Sequence, residues 1–428
     1  MGDCACLTLV VSRLSFHLCG ITYQLVTMRI LRLPIISLSI FFTGVLHCGC
    51  FTQAKQDEQL SSELTFTAVP APEWTALFKR NHGWFGGDGI YSIALSGLEK
   101  EATGNKDSVL IWFSDTLLGN INDSLENGFT MINNSVALLT GGKPDSMAIR
   151  FYWNKSADHH PSSVFVPNTP VTQQGEYYWL GDGFVNTERN NDIYIFGYRI
   201  KNIPGQAVFG FKQTGNTLIR IPAGDKPPFK HITQMEIPFS QGEHADSLGS
   251  FGAGVLVNTK KAGAPNADGY LYIYGVRGKN KEVIAARVLP QAIEQFNEWK
   301  FWDGQSWTAD ITAIQPIANR ASNEMSVTPL TDGRYLMVFQ KDAIGTHVAV
   351  RVGTSPAGPF GDITDVYDVK DDLKDSPNLF PYNAKAHPVI SQPGELLISY
   401  NINSFDFLGD IKKFPHLYRP RFIKLKYK

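Results

Sequence analysis

Apolar and polar residues beyond Ser62 alternate in a way that predicts pairs of short β-strands. Each pair has a first strand rich in small residues, a turn containing Gly, Asp or Asn, and a second strand of aromatic and branched apolar residues. Helical periodicity is scarce and predicts only a short helix over 291–299. The five predicted pairs are 89–95 with 109–113, 183–185 with 192–196, 251–257 with 270–274, 325–330 with 335–339, and 387–390 with 396–400.

Five repeats of this kind predict an all-β fold, a five-bladed β-propeller in a single domain over 64–428. A propeller repeats four-stranded sheets radially, and small residues suit its innermost strands because the blades converge at the axis. Residues 64–69 are predicted to close the ring by pairing with the last blade. Two β-sandwiches in tandem are the competing arrangement, but no linker rich in Pro, Gly or Ser separates two domains.

The composition limits the function further. The chain of 428 residues has 39 basic and 40 acidic side chains, and 43% of its residues are hydrophobic. This hydrophobic content can form a large core, which excludes disorder over most of the length. The balanced charge argues against a nucleic-acid-binding protein, which normally carries a basic excess.

The first 63 residues are predicted to be an export segment followed by a tether. All five cysteines lie in the first fifty residues, so the rest has no disulfide, cysteine nucleophile or cysteine metal site. Two arginines after Met28 and the uncharged stretch 33–46 are typical of a signal peptide and too short to span a bilayer. Cys50, followed by the polar tether 51–63, resembles the acylated cysteine of a bacterial lipoprotein, and an ordinary cleaved signal is the alternative. Residues 1–27 are predicted to lie upstream of the true translation start.

Polar residues stand at the ends of predicted strands, where a propeller brings them to one mouth of its axial channel. In an antiparallel pair, the start of the first strand and the end of the second lie at the same edge. Asp88 comes just before the first strand of blade one and Asp115 just after its second strand, which predicts neighbouring carboxylates. Comparable positions in the other blades are occupied by Asp182, Arg277, Glu324, His387 and Asn401.

This set of residues favours glycoside hydrolysis. One carboxyl group protonates the leaving oxygen while a second attacks the sugar or activates water. Two close carboxylates push their pKa values apart, so one can keep its proton near neutral pH. Asp88 is predicted to be the base or nucleophile and Asp115 the acid, with Glu324 as the alternative acid, and the others to bind sugar or tune pKa values. The aromatic residues predicted to stack on sugar faces are Trp84, Tyr178 and Trp179.

Each candidate also has a structural interpretation. Asp88 and Asp115 could simply be turn residues, because Asp and Gly favour turns. A structural role is favoured for Asp182, which lies between two glycines, and for His387, which precedes a proline. The segment 243–246 (Glu-His-Ala-Asp) contains metal-ligating residue types, but it lies in a polar loop where solvent exposure is expected. No metal ligand is therefore predicted.

The segments WFGGDG at 84–89 and LIWFSDT at 110–116 resemble the opening of a bacterial family of five-bladed propellers that was catalogued as a domain of unknown function. The resemblance covers about Ala68 to the C-terminus. Less specific matches occur at 251–255, 324–327, 386–388 and 399–401, and the turn at 355–360 is similar to one in propeller glycosidases that act on arabinofuranosides and fructans.

The characterised members of this family are endo-D-arabinanases that depend on two aspartates in the first blade. The resemblance implies that these aspartates are Asp88 and Asp115. The chain departs from the family pattern in a longer insertion at 96–108 and in Ser114, where glycine is common. The substrate therefore stays open.

The function predicted from the sequence is a glycoside hydrolase that cleaves a furanose-containing, arabinan-like polysaccharide. The alternative is a non-catalytic surface lipoprotein that binds glycans. We expect a monomer without a cofactor, although a structural divalent cation is not excluded. We also expect export, as an outer-membrane or periplasmic lipoprotein attached through Cys50 or as a secreted protein. Whether cleavage is endo or exo, retaining or inverting, is left open.

Overall fold

This computed structural model describes residues 11–18, 21–28, 64–205, 210–241 and 249–428. The chain divides into two compact units, Met1–Asp57 and Glu58–Lys428. In the first unit, the strands Val11–Leu18 and Ile21–Met28 form an antiparallel hairpin. The predicted signal segment, the tether and the segment 243–246 contain residues outside the described ranges. Within those ranges, no helix is long and apolar enough to cross a membrane.

The second unit is a five-bladed β-propeller, as the strand pairs predict, and its blades are antiparallel sheets. The strands of blade one, from the axis outwards, are Tyr91–Ala94, Ser108–Phe113, Ser135–Thr140 and Ile149–Tyr152. Those of blade two are Tyr177–Asn186, Asp192–Asn202, Phe211–Ile221 and Thr233–Gln241. Those of blade three are Ser250–Asn258, Tyr270–Arg277, Glu282–Val288, Lys300–Trp302 and Trp307–Thr308.

Blades four and five complete the ring. The strands of blade four are Met325–Pro329, Tyr335–Gln340, His347–Gly353 and Thr364–Asp368. Those of blade five are Leu379–Ala386, Glu395–Ser404, Arg421–Tyr427 and Phe66–Pro70. The outermost strand of blade five comes from the start of the unit and pairs with the last strand of the chain. The prediction that residues 64–69 close the ring is therefore confirmed.

Several elements lie outside the blades. A three-stranded sheet is inserted into blade one, and it was not predicted. Its strands are His82–Gly87, Thr116–Asn122 and Ser124–Ile132. The other elements are the hairpin Asn154–Lys155 with Pro161–Ser162, the α-helices Pro72–Leu77 and Phe407–Lys413, and 3-10 turns at Thr103–Lys106, Pro290–Ala292, Phe296–Glu298, Ile311–Ala313, Lys370–Leu373 and Pro388–Ile390. The short helix predicted over 291–299 is instead the second and third of these turns.

The apolar second strands form the core between the blades. All six residues of Tyr335–Gln340 are buried, because both faces of the strand are covered by neighbouring blades. This explains why the second strands appear in the sequence as continuous apolar runs instead of alternating patterns. The inner strands contain small residues because the blades approach each other closely at the axis, as predicted. A Cβ on Gly181, for example, would lie 2.5 Å from the carbonyl oxygen of Gly252 in the next blade.

Blade five differs from the prediction. Its inner strand is Leu379–Ala386, and the segment 387–390 forms a 3-10 turn after the strand instead of the strand itself. Pro388 stands at the start of this turn, where its missing N–H and fixed φ are tolerated. The true inner strand carries Asn383 and Lys385 and a β-bulge, so it lacks the apolar pattern that marks the other blades. His387 consequently follows the inner strand and does not open it.

Candidate active site

Asp88 and Asp115 lie side by side where the chain passes between blade one and the inserted sheet. The N–H of Asp88 donates to the carbonyl oxygen of Asp115 at 3.2 Å, and the N–H of Ser114 donates to the carbonyl oxygen of Asp88 at 2.8 Å. Strand pairing continues on both sides of this link. Gly89 has φ +60°, and a Cβ there would lie 2.6 Å from the hydroxyl of Ser114. The backbone thus holds the two aspartates next to each other, as antiparallel geometry predicts.

The carboxyl group of Asp88 has one oxygen bound and one oxygen free. Its Oδ2 accepts a hydrogen bond from the hydroxyl of Tyr382 at 2.8 Å. Its Oδ1 is buried and accepts no hydrogen bond from any residue in the described ranges. Burial raises the pKa of Asp88, while the nearby hydroxyls of Tyr418 and Tyr382 and the charge of Lys385 oppose the rise. Oδ1 is therefore an acceptor without a partner among the described residues.

Asp115 shares its electrostatic environment with Asp88. Its Oδ1 accepts a hydrogen bond from the side-chain amide of Asn133 at 3.2 Å. Burial, followed by the negative charge of Asp88, raises the pKa of Asp115 to about 7, against the nearby indole N–H of Trp179 and the hydrogen bond from Asn133. Two neighbouring carboxyl groups of this kind titrate as a coupled pair. Near neutral pH, the pair can hold one proton and one negative charge.

Asp182 is a fixed carboxylate of blade two. It lies in a bulge of the inner strand, where the pairing register shifts between Leu180 and Gly183. Its Oδ1 accepts from the N–H of Gly183 at 2.8 Å, and its Oδ2 accepts from the N–H of Val255 in blade three at 2.7 Å. Burial raises its pKa to about 7 despite these bonds and the charge of Lys385. Because both oxygens accept from backbone, Asp182 is held in place and links two blades.

Glu324 contributes a further carboxylate, from the start of blade four. It is 8% exposed and directly precedes the inner strand Met325–Pro329. Its Oε1 accepts from the side-chain amide of Asn383 at 2.7 Å, and its Oε2 forms an ion pair with Lys385. Burial raises the pKa of Glu324 to about 7; Lys385 opposes the rise, whereas the charges of Asp88 and Asp182 add to it.

The structure thus joins Asp88, Asp182 and Glu324 around a buried cation that sequence reasoning missed. Lys385 is 1% exposed, and its charge opposes the raised pKa values of all three carboxyl groups. Tyr382 and Asn383, on the same strand, bind Asp88 and Glu324 directly. The available signal was weak: a lysine within a run of small residues just before His387.

Arg277, His387 and Asn401 make other contacts. Arg277 forms an ion pair with Glu282 on the third strand of its own blade at 3.0 Å, so it faces away from the carboxylates. His387 lies between the hydroxyls of Ser92 and Ser399, at 2.8 and 2.7 Å from its two ring nitrogens. Burial, with a contribution from Lys385, lowers the pKa of His387 to about 3, which keeps the ring neutral.

Asn401 supports the backbone beside Asp88. It is completely buried, and its side-chain amide donates to the carbonyl oxygen of Gly87 at 3.2 Å. A sugar hydroxyl would have to displace this internal bond to reach the amide. The structure therefore places Asn401 behind the candidate site as a support for the loop that carries Asp88.

The aromatic candidates separate into core and surface. Trp84 is 1% exposed and Tyr178 is fully buried, so the prediction that they stack on sugars is wrong. Trp179 is half-buried and contacts Phe211 edge-on with ring centroids 4.5 Å apart. Tyr177 packs against the same indole at 6.1 Å. Because Trp179 also approaches Asp115, it can present an aromatic face beside the carboxyl pair.

The described residues contain no group of three or more His, Cys, Asp or Glu side chains arranged to hold a metal ion. The Glu-His-Ala-Asp segment at 243–246 lies outside the described residues, so its solvent exposure stays a prediction. The carboxylates of the candidate site instead use backbone N–H groups, amides, a tyrosine hydroxyl and Lys385 as partners.

The chain is similar to several solved structures. A candidate hydrolase from Bacteroides ovatus is 21% identical, with a TM-score of 0.65 over 84% of this chain and 90% of that one. An α-L-arabinofuranosidase from Clostridium thermocellum is 13% identical, with a TM-score of 0.42 over 77% of this chain and 86% of that one. A family-43 glycoside hydrolase from Xanthomonas citri, solved with xylose, is 14% identical, with a TM-score of 0.42 over 82% and 92%. The likeness to the Bacteroides protein shows the same fold.

Sequence comparison gives the family. No curated protein sequence matches the chain. The family model described as "Domain of unknown function (DUF5005)" matches residues 72–427, which include all the candidate site residues. This match spans most of the chain and nearly the whole propeller. The chain therefore belongs to the DUF5005 family.

Proposed function

We propose that this protein is a glycoside hydrolase whose catalytic centre is the carboxylate group at the propeller axis. The observation that carries the proposal is the pair Asp88 and Asp115, whose backbones are hydrogen-bonded to each other. Oδ1 of Asp88 is buried without a hydrogen-bond partner among the described residues, and the pKa of Asp115 is raised to about 7. Glycoside hydrolysis needs one carboxylate and one carboxylic acid near the scissile bond. A coupled pair supplies both forms at the same pH.

The contacts of the two aspartates support different roles. Asp88 receives a hydroxyl hydrogen bond and faces the charge of Lys385, and both favour its ionised form. We assign it the role of base or nucleophile, acting through Oδ1. The negative charge of Asp88 favours protonation of Asp115, which suits a general acid.

Glu324 and Asp182 serve the same centre in this proposal. Glu324 is the alternative acid, because its pKa is also near 7. Its ion pair with Lys385 favours the ionised form, which makes it the weaker proton donor of the two candidates. Asp182 has both oxygens occupied by backbone N–H donors, so we assign it a positioning role that holds blades two and three beside the centre.

The proposed substrate is a furanose-containing polysaccharide of the arabinan type. The support is the resemblance of the segments around Asp88 and Asp115 to those of propeller endo-D-arabinanases. The half-buried indole of Trp179 beside Asp115 offers a face for a sugar ring. We further propose an exported enzyme, because the sequence after Met28 has the pattern of a signal peptide ending near Cys50. A Cys50→Ala protein should then leave the membrane fraction if Cys50 carries a lipid.

The experiment is a panel of polysaccharides (arabinans, arabinogalactans and fructans) with reducing ends measured over time. The wild type should release reducing ends from at least one furanose polymer, and Asp88→Asn and Asp115→Asn should each lose at least about a hundredfold, the lower range of acid–base catalysis. Arg277→Gln is the matched control, because Arg277 faces away from the carboxylates. Full activity in both aspartate variants would refute the site. Binding of a polymer without any release of reducing ends would favour a glycan-binding lipoprotein instead.

A further inference from the structure

We propose that Lys385 is a positioning residue of the axial site: a bulge in blade five inserts its ammonium group among the carboxylates and so sets the pH at which they exchange protons. The inference rests on the proposed function, because it concerns the same carboxylates. It adds a residue from the fifth blade to a centre otherwise built from blades one, two and four.

The bulge is what brings the lysine to the axis. Tyr382 pairs with Asn401 and Lys385 pairs with Ser399, so the inner strand of blade five has one more residue than its partner over this stretch. Asn383, within the bulge, has φ +61°, in the left-handed region that residues other than glycine adopt infrequently. Bulges of this kind redirect side chains that regular pleating would alternate between faces.

Because of this backbone shape, one short segment contacts carboxylates on both neighbouring blades. Tyr382 donates to Asp88 of blade one at 2.8 Å. Asn383 donates to Glu324 of blade four at 2.7 Å, and Lys385 forms an ion pair with the other oxygen of Glu324. The segment therefore holds two carboxylates of the proposed centre at once.

The ammonium group of Lys385 is enclosed by groups that stabilise its charge. The residue is 1% exposed, and its Nζ lies 4.3 Å from the centroid of the Tyr91 ring. Its Nζ also donates to the carbonyl oxygen of Asn383 at 3.4 Å. A buried cation needs such partners, since an unpaired one is strongly unfavourable.

The titratable groups that face this cation come from four blades. They are Asp88 and Tyr91 of blade one, Asp182 of blade two, Glu324 of blade four and His387 of blade five. His387 stays neutral between its two serines. The cation therefore acts mainly on the three carboxyl groups, and its removal should raise the pKa of each.

The test is the pH profile of kcat/KM for Lys385→Met and Lys385→Arg. An opposite charge at close range changes a carboxyl pKa by about one to three units, so the Met variant should have its whole profile displaced to higher pH by at least about one unit. The Arg variant keeps the charge and should stay within about half a unit of the wild type. Lys424→Met is the control, because this lysine pairs with Glu73 away from the axis. A Met profile that keeps its position while only kcat falls would mean a merely structural role and would overturn the proposal.

A second readout does not depend on activity. A carboxyl group with a raised pKa contributes most stability at low pH and loses it as the pH rises through that pKa. The Tm of Lys385→Met should therefore fall more steeply from pH 5 to pH 8 than that of the wild type. Parallel Tm profiles would overturn the proposal, whereas diverging profiles in a protein that cleaves no polysaccharide would refute only the proposed function.

A double variant covers the case in which Lys385→Met does not fold. Lys385→Met with Glu324→Gln removes both members of the buried ion pair, and such double replacements are much better tolerated than the loss of one partner. We expect the double variant to fold and to be more stable at pH 8 than Lys385→Met alone. Equal stability of the two variants at pH 8 would show that Glu324 is not destabilising when Lys385 is absent and would also overturn the proposal.

Discussion

The substitution Asp115→Asn should make the protein more stable at alkaline pH while abolishing its activity. Asp115 is a buried carboxyl group beside Asp88, and its pKa is raised to about 7 from an ordinary value of 3.8. Between these values the folded protein keeps a proton that the unfolded chain has released. The wild type therefore loses stability as the pH rises from about 4 to 7. Asparagine carries no charge and avoids this loss.

The size of the effect follows from the pKa difference. A difference of about three units corresponds to about 4 kcal/mol at 1.36 kcal/mol per unit. Partial solvent exposure and coupling to Asp88 reduce this value, so we expect a gain of about 2–4 kcal/mol at pH 8. For a propeller of this size, 1 kcal/mol corresponds to roughly 1–1.5 °C in Tm. The variant should therefore melt roughly 3–5 °C higher at pH 8 and within about 1 °C of the wild type at pH 4.5.

The assay is scanning calorimetry at the two pH values, with activity measured on the same samples. The amide of asparagine keeps the oxygen that accepts from Asn133, so the hydrogen bond survives the substitution. Asp158→Asn is the control, because Asp158 is exposed in a turn, and it should change the Tm equally little at both pH values. Two results would refute the conclusion that Asp115 is a buried carboxyl group with a raised pKa. One is a Tm of the variant below that of the wild type at pH 8; the other is a Tm difference between variant and wild type that is the same at pH 8 and pH 4.5.

Three other outcomes are expected. Asp182→Ala should destabilise the fold by about 1–3 kcal/mol in urea unfolding at pH 4, because the backbone N–H groups of Gly183 and Val255 lose the oxygens that now accept from them; an unchanged midpoint would contradict this. Deleting residues 1–70 removes the strand Phe66–Pro70 and exposes the edge of Arg421–Tyr427, so the shortened protein should have a lower Tm and should aggregate. An unchanged Tm would show that this strand is not needed to close the ring. Arg277→Gln should keep full activity and lose at most about 1 kcal/mol, since its ion pair with Glu282 is partly exposed; a large loss of activity would return Arg277 to the site.

The parts of the fold that follow from strand geometry could be predicted from the sequence. The second strands are recognisable because packing on both faces demands continuous apolar residues. The proximity of Asp88 and Asp115 followed from their positions at matching ends of two antiparallel strands. The closing strand was predictable because the ring needs a partner for the last blade.

The parts that depend on the axial site could not be predicted in this way. The inner strand of blade five faces the carboxylates and carries Asn383 and Lys385. Because of these polar residues, its sequence lacks the apolar pattern by which a strand is recognised. The apolar Val389 and Ile390 instead suggested a strand, although Pro388 begins a 3-10 turn there.

Side-chain direction was equally inaccessible. Arg277 stands at a strand end near the mouth, but its side chain binds Glu282 on the outer side. Trp84 resembled a surface aromatic residue, but it stacks on Phe151 with ring centroids 4.5 Å apart in the core. The ion pair of Arg277 depends on the direction of its side chain, and the burial of Trp84 depends on a residue distant in the sequence. A local sequence pattern predicts neither.

The most direct test of the central claim is a crystal structure of Asp88→Asn soaked with an oligosaccharide of whichever polymer the wild type cleaves. We expect a sugar at the propeller axis, with its glycosidic oxygen within hydrogen-bond distance of Asp115 or Glu324 and its anomeric carbon facing position 88. A sugar bound only on the outer faces of the blades, with the axis empty, would contradict the assignment of these carboxylates as the catalytic centre.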